Sequence, residues 1–206
     1  MKIPFQKRSV LIYKYLLILA LLIVSAAFTF SSQEEDTPYY IYNDKWVQGI
    51  PSGFMGEKDG KSLVLESDSR EQPYQGEYCI KMTVKPGIEV WRGLHIQYTG
   101  AWNVSLDENT KLPDLSEYYR LEFYAKAIPA PNKDVYLIEE IGVGIGDKID
   151  SYAKFTDSYL EIGKEWKKYS IQLKTGELKR INTLLYFTLP EGTIYMDEIK
   201  FIKKKK

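Results

Sequence analysis

The stretch Glu77-Tyr-Cys-Ile-Lys-Met-Thr-Val-Lys85 decides the fold class of this chain. Its larger apolar side chains alternate with small or polar ones, and that apolar set is Tyr78, Ile80, Met82 and Val84. Successive side chains of a strand point to opposite faces of a sheet, so a period of two predicts a half-buried β-strand here.

The same period recurs along the chain. In residues 119–126 the apolar positions are Leu121, Phe123 and Ala125, and further strands are predicted at 62–67, 93–98, 135–145, 167–173, 183–188 and 193–202. Turn residues separate these segments, namely Pro86-Gly87, Pro129-Ala-Pro-Asn132, Gly146-Asp147 and Pro190-Glu-Gly192. No stretch after residue 31 has a helical period, and 17 tyrosines favour strands. The pattern predicts an all-β sandwich of two sheets.

The last predicted strand changes phase part-way. Ile194 and Met196 share one phase, whereas Ile199 and Phe201 fall on the other. One extra residue at Asp197-Glu198 would restore the alternation, which is what a β-bulge does. Bulges re-aim side chains, so we expect Asp197 to turn toward a neighbouring loop.

Length and charge narrow the class of protein. The 206 residues suit one domain plus an appendage. The chain has 28 basic and 28 acidic residues, and its first 36 residues hold four and three of these, leaving 24 basic and 25 acidic groups. A nucleic-acid-binding domain normally has a basic excess, so no nucleic-acid partner is predicted.

The N-terminal segment reads as basic, then apolar, then polar. The run from Tyr15 to Phe30 has no charge, and it lies between Lys14 and the acidic Glu34-Glu35-Asp36. This order predicts export of the β-domain, either through a cleaved signal peptide or through a retained membrane anchor. Val24-Ser25-Ala26 provides small residues for cleavage, and residues 10–30 are long enough to span a membrane if they are kept.

The predicted domains follow from these boundaries. Residues 1–30 form the signal peptide or anchor, 31–38 a polar linker, 39–202 the β-domain and 203–206 a basic tail. The domain is therefore expected to be secreted or on the cell surface, and its only expected membrane contact is through the N-terminal segment. With Cys79 as the one cysteine, no internal disulfide is available, and Cys79 is interpreted as a small strand side chain.

Catalytic motifs are missing from the sequence. His95 is the only histidine, no serine lies in a nucleophile elbow, and one His with one Cys cannot build a zinc site. Glu139 and Glu140 are adjacent in a predicted strand and point to opposite faces, so they are not a facing glycosidase pair. The sequence predicts a non-enzyme, with a small hydrolase as the weakest alternative.

Aromatic residues are the remaining functional signal. A pyranose presents flat C–H faces that stack on exposed rings, while polar neighbours bond its hydroxyls. Alternatively, large aromatic residues simply fill the sandwich core, which is the interpretation favoured for Trp166. Alternate glycines in Gly142-Val-Gly-Ile-Gly146 are interpreted as structural. The predicted ligand-binding residues are Trp91, Arg92, Gln97, Tyr98, Trp102, Asn103 and Tyr152.

Residues 39–202 resemble the galactose-binding-like jelly rolls that include many bacterial carbohydrate-binding modules. Five segments carry the resemblance in order: Pro51-Ser-Gly-Phe-Met-Gly56; Gly76-Glu-Tyr-Cys-Ile-Lys81; Trp91-Arg-Gly-Leu94 with Trp102-Asn103; residues 119–126; and Glu165-Trp-Lys-Lys-Tyr169 followed by Ile194-Tyr-Met-Asp-Glu-Ile199. The chain departs from the pattern at Glu198, where a second Asp is common, and at Phe54, where a Trp is common.

The resemblance implies a two-sheet jelly-roll sandwich that binds carbohydrate without catalysis. It also implies a structural calcium ion near the first and last strands, which would fall to Asp197 with Asp44 or Glu57. The implied partner is a glycan or polysaccharide.

An alternative function is a structural or adhesive cell-surface subunit, in which the same sandwich binds protein partners. A retained anchor and the lack of an attached catalytic domain favour this alternative.

Overall fold

The computed structural model describes residues 37–55, 62–86, 92–101, 105–145, 152–154, 160–173 and 178–203. The chain divides into two compact units, Met1–Glu35 and Asp36–Lys206, and every described residue lies in the second. The predicted N-terminal segment, residues 1–30, lies outside the described residues. The part that is described contains no helix that is both long enough and apolar enough to cross a membrane.

The described residues form fourteen strands and one short 3₁₀ helix, η1 (Thr99–Ala101). The strands are β1 (Tyr39–Asn43), β2 (Lys45–Trp46), β3 (Gly49–Met55), β4 (Leu63–Ser69), β5 (Cys79–Val84), β6 (Gly93–Tyr98), β7 (Tyr118–Pro129), β8 (Tyr136–Ile138), β9 (Ile141–Ile145), β10 (Tyr152–Lys154), β11 (Leu160–Ile162), β12 (Lys167–Gln172), β13 (Ile181–Thr188) and β14 (Gly192–Lys203). The predicted all-β fold is confirmed.

Two large antiparallel sheets face each other. The seven-stranded sheet has the order β12-β7-β14-β1-β2, with β5 also pairing β14 and β4 pairing β5. The five-stranded sheet has the order β10-β9-β13-β6-β3, and β8 pairs β11 in a third, small sheet. One hydrophobic core lies between the large sheets, with Phe123 and Met196 from one and Ile96 and Phe187 from the other. This is the two-sheet sandwich expected from the alternating pattern.

The bulge predicted in the last strand is present. β14 pairs with β7 along one edge, and this register shifts between Asp197 and Lys200. Glu198 has a φ of 52°, the left-handed conformation that resets the alternation. Apolar residues on both sides of the bulge therefore enter the core, and these are Ile194, Met196, Ile199 and Phe201.

One predicted strand is two strands in different sheets. The segment predicted at 135–145 breaks at Glu139-Glu140, so that β8 joins the small sheet and β9 joins the five-stranded sheet. Glu140 and Thr188 hold this crossing point, since the Glu140 N–H donates to Thr188 Oγ1 and the Thr188 N–H donates to the Glu140 carbonyl. β14 also extends to Lys203, one residue into the predicted basic tail.

Candidate functional site

The outer face of the five-stranded sheet is lined with polar and aromatic side chains at its centre. β6 alternates, and its core-facing leucine and isoleucine leave His95 and Gln97 on the outer face. On β13, Tyr186 is opposite His95 and Thr183 is opposite Gln97, so the four side chains share one face. The ring centroids of His95 and Tyr186 are 5.9 Å apart. We call these four residues the polar face; His95 and Gln97 are partly exposed, whereas Thr183 and Tyr186 are buried.

The polar face has glycines as its neighbours on the adjacent strand, β9. Gly142 is opposite Tyr186, and Gly144 is opposite Thr183. A Cβ at Gly144 would lie 2.4 Å from Asn182 Oδ1 and 2.7 Å from Thr183 Cβ. Gly144 therefore allows two side chains of β13 to pack against the backbone of β9, which confirms the structural interpretation at this position.

Gln97 and Tyr98 were both predicted to bind ligand, but they lie on opposite faces of their strand. The Gln97 Nε2 donates to the Ala101 carbonyl oxygen at 3.0 Å and so also supports η1. Tyr98 packs against the hydrophobic core. Its ring covers Gly100, where a Cβ would lie 2.6 Å from Tyr98 Cε1. Of this pair, the polar face includes Gln97 only.

Arg92 is almost fully buried, with 7% of its surface exposed. Its Nη1 donates to the Lys85 carbonyl oxygen at 2.9 Å, and its Nη2 lies 3.6 Å from Glu191 Oε1. Its guanidinium therefore links the residue after β5 to the turn before β14. These contacts give Arg92 a structural role beside the sheet.

The other predicted ligand residues are only partly placed. Trp91, Trp102 and Asn103 lie outside the described residues. In the chain, Trp91 directly precedes Arg92, and Trp102 directly follows η1. Tyr152 is opposite Gly144 in the register of β10 and β9, which places its backbone in the five-stranded sheet.

On the opposite sheet, the bulge turns Asp197 onto the loop of residues 70–78, hereafter loop 70–78. Asp197 is 1% exposed, and its Oδ2 accepts the N–H groups of Tyr74 at 3.2 Å and Gln75 at 3.1 Å. Its Oδ1 accepts the N–H of Glu198 at 2.8 Å. Burial raises the pKa of the Asp197 carboxyl, whereas these N–H donors act in the opposite direction. The predicted turn of Asp197 toward a loop is confirmed.

Asp44 holds the same loop from its other end. Asp44 lies between β1 and β2, and its Oδ1 accepts the N–H groups of Glu77 and Tyr78, both at 2.9 Å. Gly76 has a φ of 67° and lies so close that a Cβ there would be 2.1 Å from Asp44 Oδ2. Only glycine satisfies both requirements at this position.

Three rings meet where loop 70–78 crosses the seven-stranded sheet. Tyr74 stacks on Tyr124 of β7 with ring centroids 3.6 Å apart and planes 14° apart. Trp166, just before β12, lies 5.8 Å from Tyr74 with its plane inclined by 59°. We call Tyr74, Tyr124 and Trp166 the aromatic corner. Tyr74 is 40% exposed, and the other two are half-buried, so the expectation that Trp166 is a core residue is wrong.

A buried cation supports the aromatic corner from below. The Lys126 ammonium lies 5.2 Å from the centroid of the Trp166 ring and 4.9 Å from that of Tyr195. Lys126 also donates to Gln72 Oε1, while Trp166 Nε1 donates to the Gln72 carbonyl oxygen at 3.0 Å. The ring of Trp166 is therefore fixed at its edge and on one face.

A shallow groove of about 610 Å³ lies beside the β1–β2 hairpin. Each of its two tyrosine rings is covered by a cation: Lys200 lies 4.9 Å from the Tyr40 centroid, and Arg70 lies 5.0 Å from the Tyr78 centroid. Its lining residues are Tyr40, Asn43, Asp44, Lys45, Val47, Glu77 and Tyr78. Because Asp44 and both rings are already engaged, the groove is secondary to the two surfaces above.

No protein-family model and no curated protein matches the chain. Solved structures do. A family 30 carbohydrate-binding module aligns with a TM-score of 0.55 and 15% identity, over 84% of this chain and 90% of the module. The family 30 module of the cellulosomal cellulase Cel9D-Cel44B of Clostridium thermocellum aligns with a TM-score of 0.50 and 18% identity, over 82% and 99%. The family 11 module of cellulase Lic26A-Cel5E from the same organism aligns with a TM-score of 0.50 and 11% identity, over 82% of this chain and 96% of the module.

The chain has the β-sandwich fold of a carbohydrate-binding module. The predicted resemblance is confirmed at the level of fold, and identities this low carry no information about individual ligand residues. In this carbohydrate-binding-module fold, the polar face and the aromatic corner lie on opposite sides, since each is on the outer face of a different sheet.

The calcium ion implied by the resemblance does not fit the groups that are described. Calcium needs six to eight oxygen ligands, but the Asp44 and Asp197 oxygens already accept five backbone N–H groups, whose positive ends would face a cation. Carbonyl groups near the start of the loop are also engaged. The Cys79 S–H is shared between the carbonyl oxygens of Ser69, at the end of β4, and Glu71, and the Gln72 carbonyl oxygen accepts from Trp166 Nε1. Within the described part of the chain, no three His, Cys, Asp or Glu residues converge. Glu57 lies outside that part.

The aromatic corner could not be found from the sequence. Its three residues come from a loop, from the middle of a long strand and from the residue before another strand. The only available signal was the bulge, which predicted that Asp197 meets a loop but did not identify the loop. The ring that the bulge helps to position, Tyr74, lies 123 residues earlier in the chain.

Proposed function

We propose that this chain is an exported, secreted or surface-held domain that binds a glycan without catalysis through the polar face of its five-stranded sheet. The observation that carries the proposal is the fold. The solved structures that share it at TM-scores of 0.50 to 0.55 are carbohydrate-binding modules, and two of them belong to cellulases.

The chemistry of the polar face supports this position for the site. The partly exposed Gln97 and His95 provide amide and imidazole groups, the kinds of donor and acceptor that bond sugar hydroxyls. The predicted ring residues Trp91 and Trp102 flank the β6 segment in the chain, and Tyr152 belongs to the same sheet. Stacking by these rings together with hydrogen bonds from the face is the proposed mode of recognition.

Affinity electrophoresis of the full-length chain in gels that contain hydroxyethyl cellulose, xylan or galactomannan tests the proposal. We expect at least one polysaccharide to retard the wild type. Gln97→Ala is expected to weaken binding three- to tenfold, because a net hydrogen bond contributes about 1 kcal/mol and tenfold in affinity is about 1.4 kcal/mol.

Gln172→Ala is the matched control, because Gln172 is an exposed glutamine on β12 of the other sheet. It is expected to migrate like the wild type in every gel. The proposal fails if none of the three polysaccharides retards the wild type. Release of new reducing ends from a retained polysaccharide would contradict the non-catalytic role.

A further inference from the structure

We infer that the aromatic corner of the seven-stranded sheet is a second binding site, which takes the flat face of a pyranose ring. The inference rests on the proposed function for its class of ligand, a sugar. The position of the site is different, because the aromatic corner is on the sheet that lies across the core from the polar face.

Tyr74 presents an unusual surface for a loop residue. One face of its ring is covered by Tyr124 at 3.6 Å, yet 40% of the residue is exposed. Because Tyr124 covers one face of this ring, a ligand that stacks on Tyr74 must use the other face. Trp166, whose ring is inclined by 59° at a centroid distance of 5.8 Å, adds a second aromatic ring beside Tyr74. A flat ring beside an inclined ring is a shape into which one sugar ring fits.

The corner is held in place before any ligand arrives. The Tyr74 backbone is fixed by Asp197, its ring by Tyr124, and Trp166 by Gln72 and Lys126. Immobilising a flexible side chain costs about 0.5–1.5 kcal/mol on binding, so rings that are already fixed increase affinity. The bulge that aims Asp197 is therefore also the device that positions Tyr74.

The surroundings of the corner favour a neutral sugar over a cationic ligand. Lys126 already occupies one face of Trp166, and Lys168 is opposite Tyr124 in the register of β12 and β7. Because Lys168 is paired with Glu122 at 2.7 Å, Lys126 is the charge that would repel a quaternary ammonium or an arginine side chain. Gln75, exposed next to Tyr74, provides the hydrogen-bonding groups that sugar hydroxyls require.

Two sites on opposite faces make the domain bivalent. Sheets in a sandwich pack about 10 Å apart, and each site lies on the outer side of its sheet, so one extended polysaccharide cannot lie flat on both. The domain would then bind two chains at once. The number of oligosaccharides bound per protein chain is the quantity that reports this.

Isothermal titration of the full-length chain with cellohexaose, xylohexaose and mannohexaose tests the inference. We expect the best of these ligands to bind at two per chain to the wild type and at one per chain to Tyr74→Ala. Tyr74→Phe keeps the stack and is expected to restore two. Val64→Ala is the matched control, because Val64 is equally exposed on the same sheet, and it should bind two.

The outcomes separate this inference from the proposed function. One ligand per chain, bound three- to tenfold more weakly by Gln97→Ala and unchanged in Tyr74→Ala, overturns the second site and supports the polar face. One ligand per chain, lost in Tyr74→Ala alone, supports the corner and overturns the polar face. No binding of any hexasaccharide overturns both. Far-ultraviolet circular dichroism of each variant verifies that the β-fold is retained. If Tyr74→Ala unfolds, Tyr74→Leu replaces it, because leucine keeps an apolar side chain on Tyr124 but has no flat ring, and it is expected to bind one ligand per chain.

Discussion

Gly192 is a residue whose side chain must be absent. It begins β14 with a φ of 124°, and a Cβ there would lie 2.5 Å from the Ile128 carbonyl oxygen, which is backbone and cannot move aside. Gly192→Ala is expected to lower the free energy of unfolding by about 1–3 kcal/mol, the range for a strained backbone position. Urea unfolding measures the change. Gly163→Ala is the control, because its Cβ would meet nothing within 4 Å. Equal stability of the two variants would contradict the account.

Cys79 is a thiol in a site that suppresses its reactivity. It is fully buried, and burial together with the charge of Asp197 raises its pKa to about 11. Because the thiolate is the nucleophile, alkylation by iodoacetamide near neutral pH is expected to be at least tenfold slower in the folded protein than in the urea-unfolded chain. The rate should rise with pH up to about 11. Equal rates in the folded and unfolded chains would show that the thiol is accessible.

For individual residues, the sequence could predict the environment of some side chains and not of others. The alternating pattern predicted a strand position for Cys79 and a turn of Asp197 toward a neighbouring loop, because both follow from local period. The same pattern separates Gln97 from Tyr98, since neighbours in a strand point to opposite faces, but the predicted ligand set was chosen by residue type and proximity and included both. The burial of Arg92 depends on Glu191, a residue distant in the chain.

Arg180 organises the connection between η1 and β7. It has a φ of 55°, and its guanidinium donates to the carbonyl oxygens of Asp107 at 2.6 Å, Glu108 at 3.0 Å and Thr110 at 3.1 Å. Arg180→Ala is expected to speed amide hydrogen exchange of residues 107–110 at least tenfold. Arg180→Lys should not restore protection, since one ammonium lacks the fork that reaches three acceptors. Lys179→Ala, the exposed neighbour, is the control, and unchanged exchange in Arg180→Ala would contradict the role.

Strands could be predicted wherever one face of the strand is buried in the core and the other is exposed to solvent. β6 matches its prediction at both ends, and β7, β12 and β14 differ by one to three residues. The segment 135–145 failed because no proline, glycine or asparagine separates Tyr136–Ile138 from Ile141, so the sequence does not reveal that the chain changes sheets at Glu139-Glu140. The β1–β2 hairpin went unpredicted, since it turns on Asp44 with a φ of 54° and contains no Asn-Gly or Asp-Gly pair.

For the molecule as a whole, the carboxylate anchors predict metal-independent stability. The temperature of unfolding should be the same in excess EDTA as in millimolar Ca²⁺, because Asp44 and Asp197 are satisfied by N–H donors. Asp197→Asn should lower the free energy of unfolding by about 2 kcal/mol or more, since hydrogen bonds to a buried charge are lost. Asp134→Asn, at an exposed position, is the control. A rise in the unfolding temperature with Ca²⁺ would contradict this prediction.

The two-sheet sandwich could be predicted from the sequence because it needs only period, turns and the absence of helices. The positions of the two candidate surfaces could not, because each depends on which strands become neighbours. β13 and β6 are adjacent in the five-stranded sheet although they are more than 80 residues apart in the chain. Pairing over such separations is a property of the complete fold, and no local window records it.

Among the fourteen strands of the described residues, β14 is the last to be synthesised, and three strands of the seven-stranded sheet pair with it. It pairs with β7 along its whole length, and with β5 and β1 along its other edge. Until residues 192–203 have left the ribosome, β5, β7 and β1 have no common neighbour. We therefore expect the domain to complete its fold only after this strand has been translated, and a chain that stops at Pro190 is expected to remain unfolded and sensitive to proteases.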